Sequence, residues 1–346
     1  MSHRRRSREK TPTLSIHSWT LPRSDILLDP RNERSPWFTA PPELVSVFRK
    51  MQSHPRLGDS YDLSEGINTR GANDIYFITR ISRAENGHVV AETFNRQVVR
   101  LEDELVYPLV QGKNLRPWFF DHVYALIPHR PPKWNYIPEP IMRKRFSESH
   151  SYLERFHHKL RERTLYSESR GPFYVILEIS KAKVGNWKVA WADISTRLRA
   201  CAMPLTIKEE LLGEKQVLVD TTVRFVNLSD EDEAYYLCGV LNSAPANTFT
   251  YQFARPKGGA PFRGFTMWSV AILPVPQYSR TSATCKDLVQ LAKQATECAS
   301  RHSVSRVTEI EEQVNIRVAR LYDLSDKELR SLTDHYDLLA GRSLRA

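Results

Sequence analysis

Beyond about residue 281 the apolar residues of this sequence fall into a three-to-four-residue rhythm that is absent before it. Leu288, Leu291, Ala292, Ala295 and Cys298 follow one another at helical spacing, as do Val307, Ile310, Val314, Val318 and Leu321, and then Leu329, Leu332, Tyr336 and Leu339. Each set draws one apolar stripe along a helix, and such a stripe must be covered. Ser325 with Glu328 after it has the pattern of a capping box and marks where the third helix begins. Three helices in succession, each with one stripe, pack on one another or on a partner.

Upstream the text is mixed, with short apolar runs between turns. Candidate strands are 74–80, 88–92, 122–127, 173–178, 187–191 and 217–226. Two helices interrupt them. One, over 146–165, sets Tyr152, Phe156 and Leu160 on one face; the other opens at Ser229 with acids in its first turn and buries Ala234, Leu237, Cys238 and Leu241. Residues 1–42 are rich in Pro, Arg and Ser and read as an extended lead-in with little structure of its own, with a short helix over 43–51. The expected class is α+β: a mixed, β-rich lobe with inserted helices, then a C-terminal helical hairpin or bundle. The expected division is a basic, Pro-rich lead-in over 1–56, a main domain over 57–280 and a helical segment over 281–346.

Lys plus Arg number 50 against 40 acids, a net charge of +10 that favours polyanionic partners through its long-range field. The first ten residues, "MSHRRRSREK", form a basic arm with no apolar run behind it, unlike a secretory signal. No apolar stretch approaches the roughly 20 residues that span a bilayer. The four cysteines form no CxxC pair, so neither a disulfide framework nor a zinc site is expected; a reducing cytoplasm suits them.

Known catalytic patterns find no match. Gly66 and Gly71 in "GINTRGANDIYF" have the spacing of a phosphate loop, but Ala72-Asn73 stand where Lys-Ser/Thr is needed. Glycines and asparagines tolerating positive φ before a strand explain the stretch better. His157 and His158 are adjacent on a helix and point about 100° apart, so they do not chelate. Ser35-Pro36-Trp37-Phe38 lacks the second proline of an adenine methylase loop, and Asp220 has no Glu-x-Lys strand to make a nuclease centre. Binding is favoured over chemistry, with no catalytic residue, metal or cofactor expected in this chain.

The charge distribution points to where binding occurs. From Ala234 to Lys286 there is no Asp or Glu, while Arg255, Lys257, Arg263, Arg280 and Lys286 are present. Inside this span "FARPKGGAPFRGFTMW" (253–268) interleaves bases with Phe253, Phe262, Phe265 and Trp268 around Gly258-Gly259. Such a loop sets guanidinium groups on phosphates or guanine edges while its aromatics anchor it or stack on a base. A second patch, 142–166, carries Arg143, Lys144, Arg145, Arg155, Lys159, Arg161 and Arg163 against Glu148, Glu154 and Glu162. A third, "GKNLRPW" (112–118), crowds Lys113, Asn114 and Arg116 into one turn.

Taken in order, several segments resemble the C-terminal target-recognition region of adenine-specific DNA methyltransferases of the TaqI-like group, which includes fused restriction–modification enzymes and phage-defence methylases. Asn73, the 108–114 segment, Leu241-Asn242-Ser243, Leu273-Pro274-Val275-Pro276 and Leu321-Tyr322-Asp323-Leu324 fill the places of that family's motifs, over residues 57 to 335. The resemblance implies sequence-specific binding of double-stranded DNA. Its implied partner is a methyltransferase subunit that uses S-adenosylmethionine, with no membrane involved. In the family this region follows a methyltransferase domain, and only about 55 residues precede it in this sequence, so a detached specificity subunit or the rear half of a split gene is expected. Arg70 is an insertion beside Gly71. The expected DNA-binding set is Arg255, Lys257 and Arg263, then Lys113, Asn114 and Arg116, then Lys144 and Arg145, with Arg70 and Asn73 at the opening turn. The alternatives are an enzyme with an unrecognised centre, DNA methyltransferase or nuclease, and a general nucleic-acid-binding module.

Overall fold

The computed structural model describes residues 20–179, 185–259 and 261–339; the basic arm over 1–10 lies outside them. Two larger sheets form most of the β portion among the described residues. A six-stranded sheet has the order Leu218–Val219, Val106–Val110, Val123–Leu126, Phe77–Glu85, His88–Thr93, Val98–Glu102; only the first pair is parallel. A four-stranded antiparallel sheet has the order Leu63–Glu65, Val223–Leu228, Trp187–Ala192, Ala200–Pro204. Alternation along this second sheet decides its packing. Val189, Trp191, Ala200, Ala202 and Val226 join one cluster while Ala190, Ala192, Cys201, Met203, Phe225 and Val223 join another, so both faces are buried.

Helix Glu231–Asn242 lies across the four-stranded sheet and against Ala283–Ser300, which pairs with Val304–Leu321. Helix Asp326–Leu339 packs on Ala244–Tyr251 and on Pro42–Met51. The architecture is α+β with a helical C-terminal region, as read from the sequence. The capping box forms: Ser325 N donates to Glu328 Oε2 at 2.8 Å and Glu328 N to Ser325 Oγ at 3.3 Å. The largest apolar cluster draws on all three expected stretches, from Leu28, Phe38 and Phe48 through Trp191 and Leu237 to Val314 and Leu332. Two of the family-like motifs meet inside it, where the Tyr322 hydroxyl donates to Pro274 O at 2.5 Å and the Tyr236 hydroxyl to Pro276 O at 2.8 Å.

Several local expectations are corrected. The described part of the lead-in is not loose: Leu27, Leu28 and Phe38 are buried, and Phe38 stacks on Phe48 of the Pro42–Met51 helix. Segment 173–178 is irregular, although Phe173, Tyr174, Val175 and Ile176 are buried; the carbonyls of Phe173 and Val175 are taken by the Arg163 guanidinium at 2.8 and 2.9 Å, in place of a strand partner. The expected helix over 146–165 breaks at Phe156 into Ser147–Glu154 and His157–Arg161. The Glu231–Asn242 helix is capped by Asp230, whose carboxylate accepts from Asp232 N at 3.1 Å, one residue after the expected Ser229. The 217–226 run is cut by a turn at 220–222 that passes the chain from one sheet to the other. Strands Val98–Glu102, Val106–Val110, Ala200–Pro204 and the Thr206–Glu209 hairpin were not read from the sequence.

Candidate nucleic-acid interface

The turn at 220–222 organises one surface groove. Asp220 is buried, and its carboxylate accepts from Thr222 N at 2.9 Å and Gln111 Nε2 at 3.1 Å. Burial raises its pKa, opposed by those hydrogen bonds. Asp220 is spent on holding the turn. Against this turn sits Gly112, whose N–H donates to Thr222 Oγ1 at 2.7 Å. A Cβ at 112 would lie 2.8 Å from Thr222 O, so only glycine allows the approach. The Gly112–Asn114 turn is closed by Asn114 Oδ1, which accepts from Gln111 N at 3.2 Å. Asn114 therefore shapes the loop, and Lys113 is the side chain left exposed, 5.3 Å above the Phe94 ring.

The opposite wall is built around Asp193. Its N–H donates to Thr222 O at 2.8 Å and its carbonyl accepts from Phe265 N at 2.7 Å. The carboxylate accepts from Arg224 Nε at 3.1 Å and from Lys257 Nζ at 2.8 Å. Lys257 belongs to a small hairpin in which Arg255–Pro256 pairs with Arg263–Gly264, and that strand pairs in turn with Ile194–Ser195. Gly258 and Gly259 turn its tip with φ of 75° and 89°. The resulting groove encloses about 720 Å³. Its lining holds four cations, Lys113, Arg199, Arg224 and Lys257, against one carboxylate, Asp193.

Arg199 was not singled out from the sequence. Its Nε is buried without a hydrogen-bond partner among the described residues. Burial and repulsion from Arg197 and Arg116 hold its pKa below the ordinary arginine value. Its backbone is fixed from below by two asparagines. Asn242 Oδ1 accepts from Ala200 N at 3.0 Å while its Nδ2 donates to Ala200 O at 2.8 Å, and Asn247 Oδ1 accepts from Leu198 N at 2.9 Å. Asn242→Ala strands the buried Ala200 N–H, whereas Ala200 O keeps the Trp118 N–H at 2.9 Å, so a loss of about 1–3 kcal/mol is expected, read as a lower denaturant midpoint.

The remaining sequence-derived residues are dispersed. Arg255 is exposed and, among the described residues, has no side-chain partner. Arg263 is half-buried, 4.5 Å over the Tyr251 ring, and donates to Ala254 O at 3.2 Å. Arg116 lines a separate cavity of about 480 Å³ with Phe119, Arg197 and His302, and faces Asp121 at 3.6 Å. Arg70, at φ 55°, pairs with Glu178 at 2.6 Å, and Asn73 Oδ1 accepts from Thr69 Oγ1. In the second patch Lys144 is exposed, whereas Arg145 pairs with Glu104, Arg143 with Glu139, Lys159 with Asp74 and Arg161 with Glu168. Arg163 is internal, bound to backbone carbonyls. That patch is largely neutralised by acids from other segments, which composition within 142–166 does not reveal. Of the expected set, the groove unites Lys113 and Lys257 only; Arg199, Arg224 and Asp193 carried no local signal.

Among the described residues no cluster of three or more His, Cys, Asp or Glu could hold a metal ion, and no helix is long and apolar enough to cross a membrane. No protein-family model and no curated protein matches the sequence. Solved structures do. The type IIG restriction endonuclease BpuSI is 16% identical, with 81% of this chain and 33% of that one aligned at a TM-score of 0.45. The Type IIL restriction-modification enzyme MmeI, solved in complex with DNA, is 8% identical, with 81% and 36% aligned at 0.49. The chain thus spans about a third of the length of the structures it is similar to.

Proposed function

We propose that this chain binds duplex DNA sequence-specifically, as the target-recognition part of an adenine-specific DNA methyltransferase of a restriction–modification or phage-defence system. A partner methyltransferase subunit using S-adenosylmethionine supplies the chemistry. The observation that carries the binding reading is the groove: four cations from four chain segments line it against one carboxylate, Asp193, which pairs with Arg224 and Lys257, and Arg199 has an unspent donor. A methylase must rotate its adenine out of the duplex, at a cost of a few kcal/mol that recognition contacts offset. Lys113, Arg199 and Lys257 position the backbone, and Arg255 on the hairpin reaches outward toward base edges.

The test is a salt titration of binding to duplexes of varied sequence. Each of Lys113→Ala, Arg199→Ala and Lys257→Ala is expected to reduce the slope of log K against log salt by about 1. Lys257→Ala is expected to cost the most affinity, because it also leaves the Asp193 carboxylate with one cation fewer. Arg255→Ala is expected to flatten the preference among sequences; a uniform loss would assign Arg255 to phosphate. Co-purification is expected to bring down a methyltransferase. Binding indifferent to salt would refute the reading.

A further inference from the structure

We propose that the groove takes one unpaired nucleotide of the bound DNA, its base stacked on Phe262 and its phosphate held by Arg199 and Lys113. This rests on the reading that the groove binds nucleic acid. Size is the first argument. A volume of about 720 Å³ is that of a small-ligand pocket, which holds a nucleotide and excludes a double helix.

The second argument is Phe262 itself. The protein buries most of its large aromatic side chains, Trp118, Trp191 and Phe249 among them, yet Phe262 on the groove wall is 43% exposed. Its backbone is held on both sides, with its N–H donating to Gly259 O at 2.9 Å and its carbonyl accepting from Lys257 N at 3.2 Å. In a paired duplex the base faces are already covered by their neighbours, so an exposed ring has none to meet. An unpaired base offers its face, and stacking of this kind tolerates any base.

The third argument is polar. Gln111 also lines the groove and is about nine-tenths buried; its Nε2 donates to Asp220 at 3.1 Å and its side-chain oxygen faces the Asn114 N–H in the capping box of the Gly112–Asn114 turn, so the amide holds the turn that carries Lys113. The groove thus combines cations for a phosphate, held on a fixed turn, with a ring for a base face.

The test measures affinity by fluorescence anisotropy at one salt concentration. The ligands are a matched duplex, the same duplex with one unpaired nucleotide, and a single strand of the same length. The interrupted duplex is expected to bind roughly tenfold tighter than the matched one, the size of a single stacking contact. Phe262→Ala is expected to erase that difference and Phe262→Trp to keep it; both change an exposed side chain, so the fold is unaffected. A 2-aminopurine placed at the unpaired position is expected to be quenched on binding, and not with Phe262→Ala. Equal, salt-sensitive affinity for both duplexes overturns this inference while leaving the proposed function standing. A single strand bound as tightly as the interrupted duplex overturns the duplex as the source of the nucleotide. Absence of salt-sensitive binding to every ligand overturns the proposed function itself.

Discussion

Replacing Arg163 by alanine is expected to lower stability by about 3–5 kcal/mol. The side chain is 7% exposed and lies over the Tyr76 ring at 5.7 Å. Its guanidinium donates to the carbonyls of Leu160 at 2.8 Å, Phe173 at 2.8 Å and Val175 at 2.9 Å. Segment 173–176 has no ladder partner; the Tyr76 hydroxyl donates to Tyr174 O at 2.7 Å, and the Arg163 bonds are what satisfies the carbonyls of Phe173 and Val175. Truncation strands them and leaves a cavity besides. Domains are held by roughly 5–15 kcal/mol in all, so Arg163→Ala is expected to be largely unfolded in mild denaturant, measured by circular dichroism against urea. Arg163→Lys retains the charge but not the fork that reaches several carbonyls, and is expected to recover only part of the loss.

Gly66→Ala is expected to cost about 3 kcal/mol or more and, under the proposed function, to weaken DNA binding as well. A Cβ there would fall within contact distance of the carbonyl oxygens of both Val219 and Asp220. These are backbone atoms of the crossing between the two sheets, and they cannot swing aside as a side chain would. The bonds Ile67 N to Val219 O at 2.8 Å and Gly66 N to Val223 O at 3.3 Å open if the strands part. The displaced turn carries Thr221 and Thr222, which line the groove, so affinity falls together with the urea midpoint. Gly71→Ala is the control: its φ of 87° strains any side chain, but no atom lies within 4 Å of the added carbon. Its cost is expected to be smaller, about 1–2 kcal/mol, with groove affinity unchanged.

In "GINTRGANDIYF" Gly66 serves a close backbone crossing and Gly71 a turn. The family-like motifs have a similar explanation. Asn242, Pro274 and Tyr322 fasten segments to one another inside the core, and Asn114 closes a turn. Under the proposed function they act indirectly, through the placement of Arg199 and Lys113.

The sequence by itself determined what depends on neighbours a few residues apart. The three terminal helices, the capping box at Ser325, the α+β class and a cationic loop turning at Gly258-Gly259 all follow from local periodicity, capping and turn chemistry. Only the tertiary structure decided which charges remain available, because each cation's partner comes from a distant segment. Arg145 is met by Glu104, Lys159 by Asp74 and Arg163 by carbonyls, while Lys113, Arg199 and Lys257 converge on one groove from positions up to 144 residues apart. Coulomb energy depends on separation in space and on burial, and a linear sequence specifies neither until the sheets have paired.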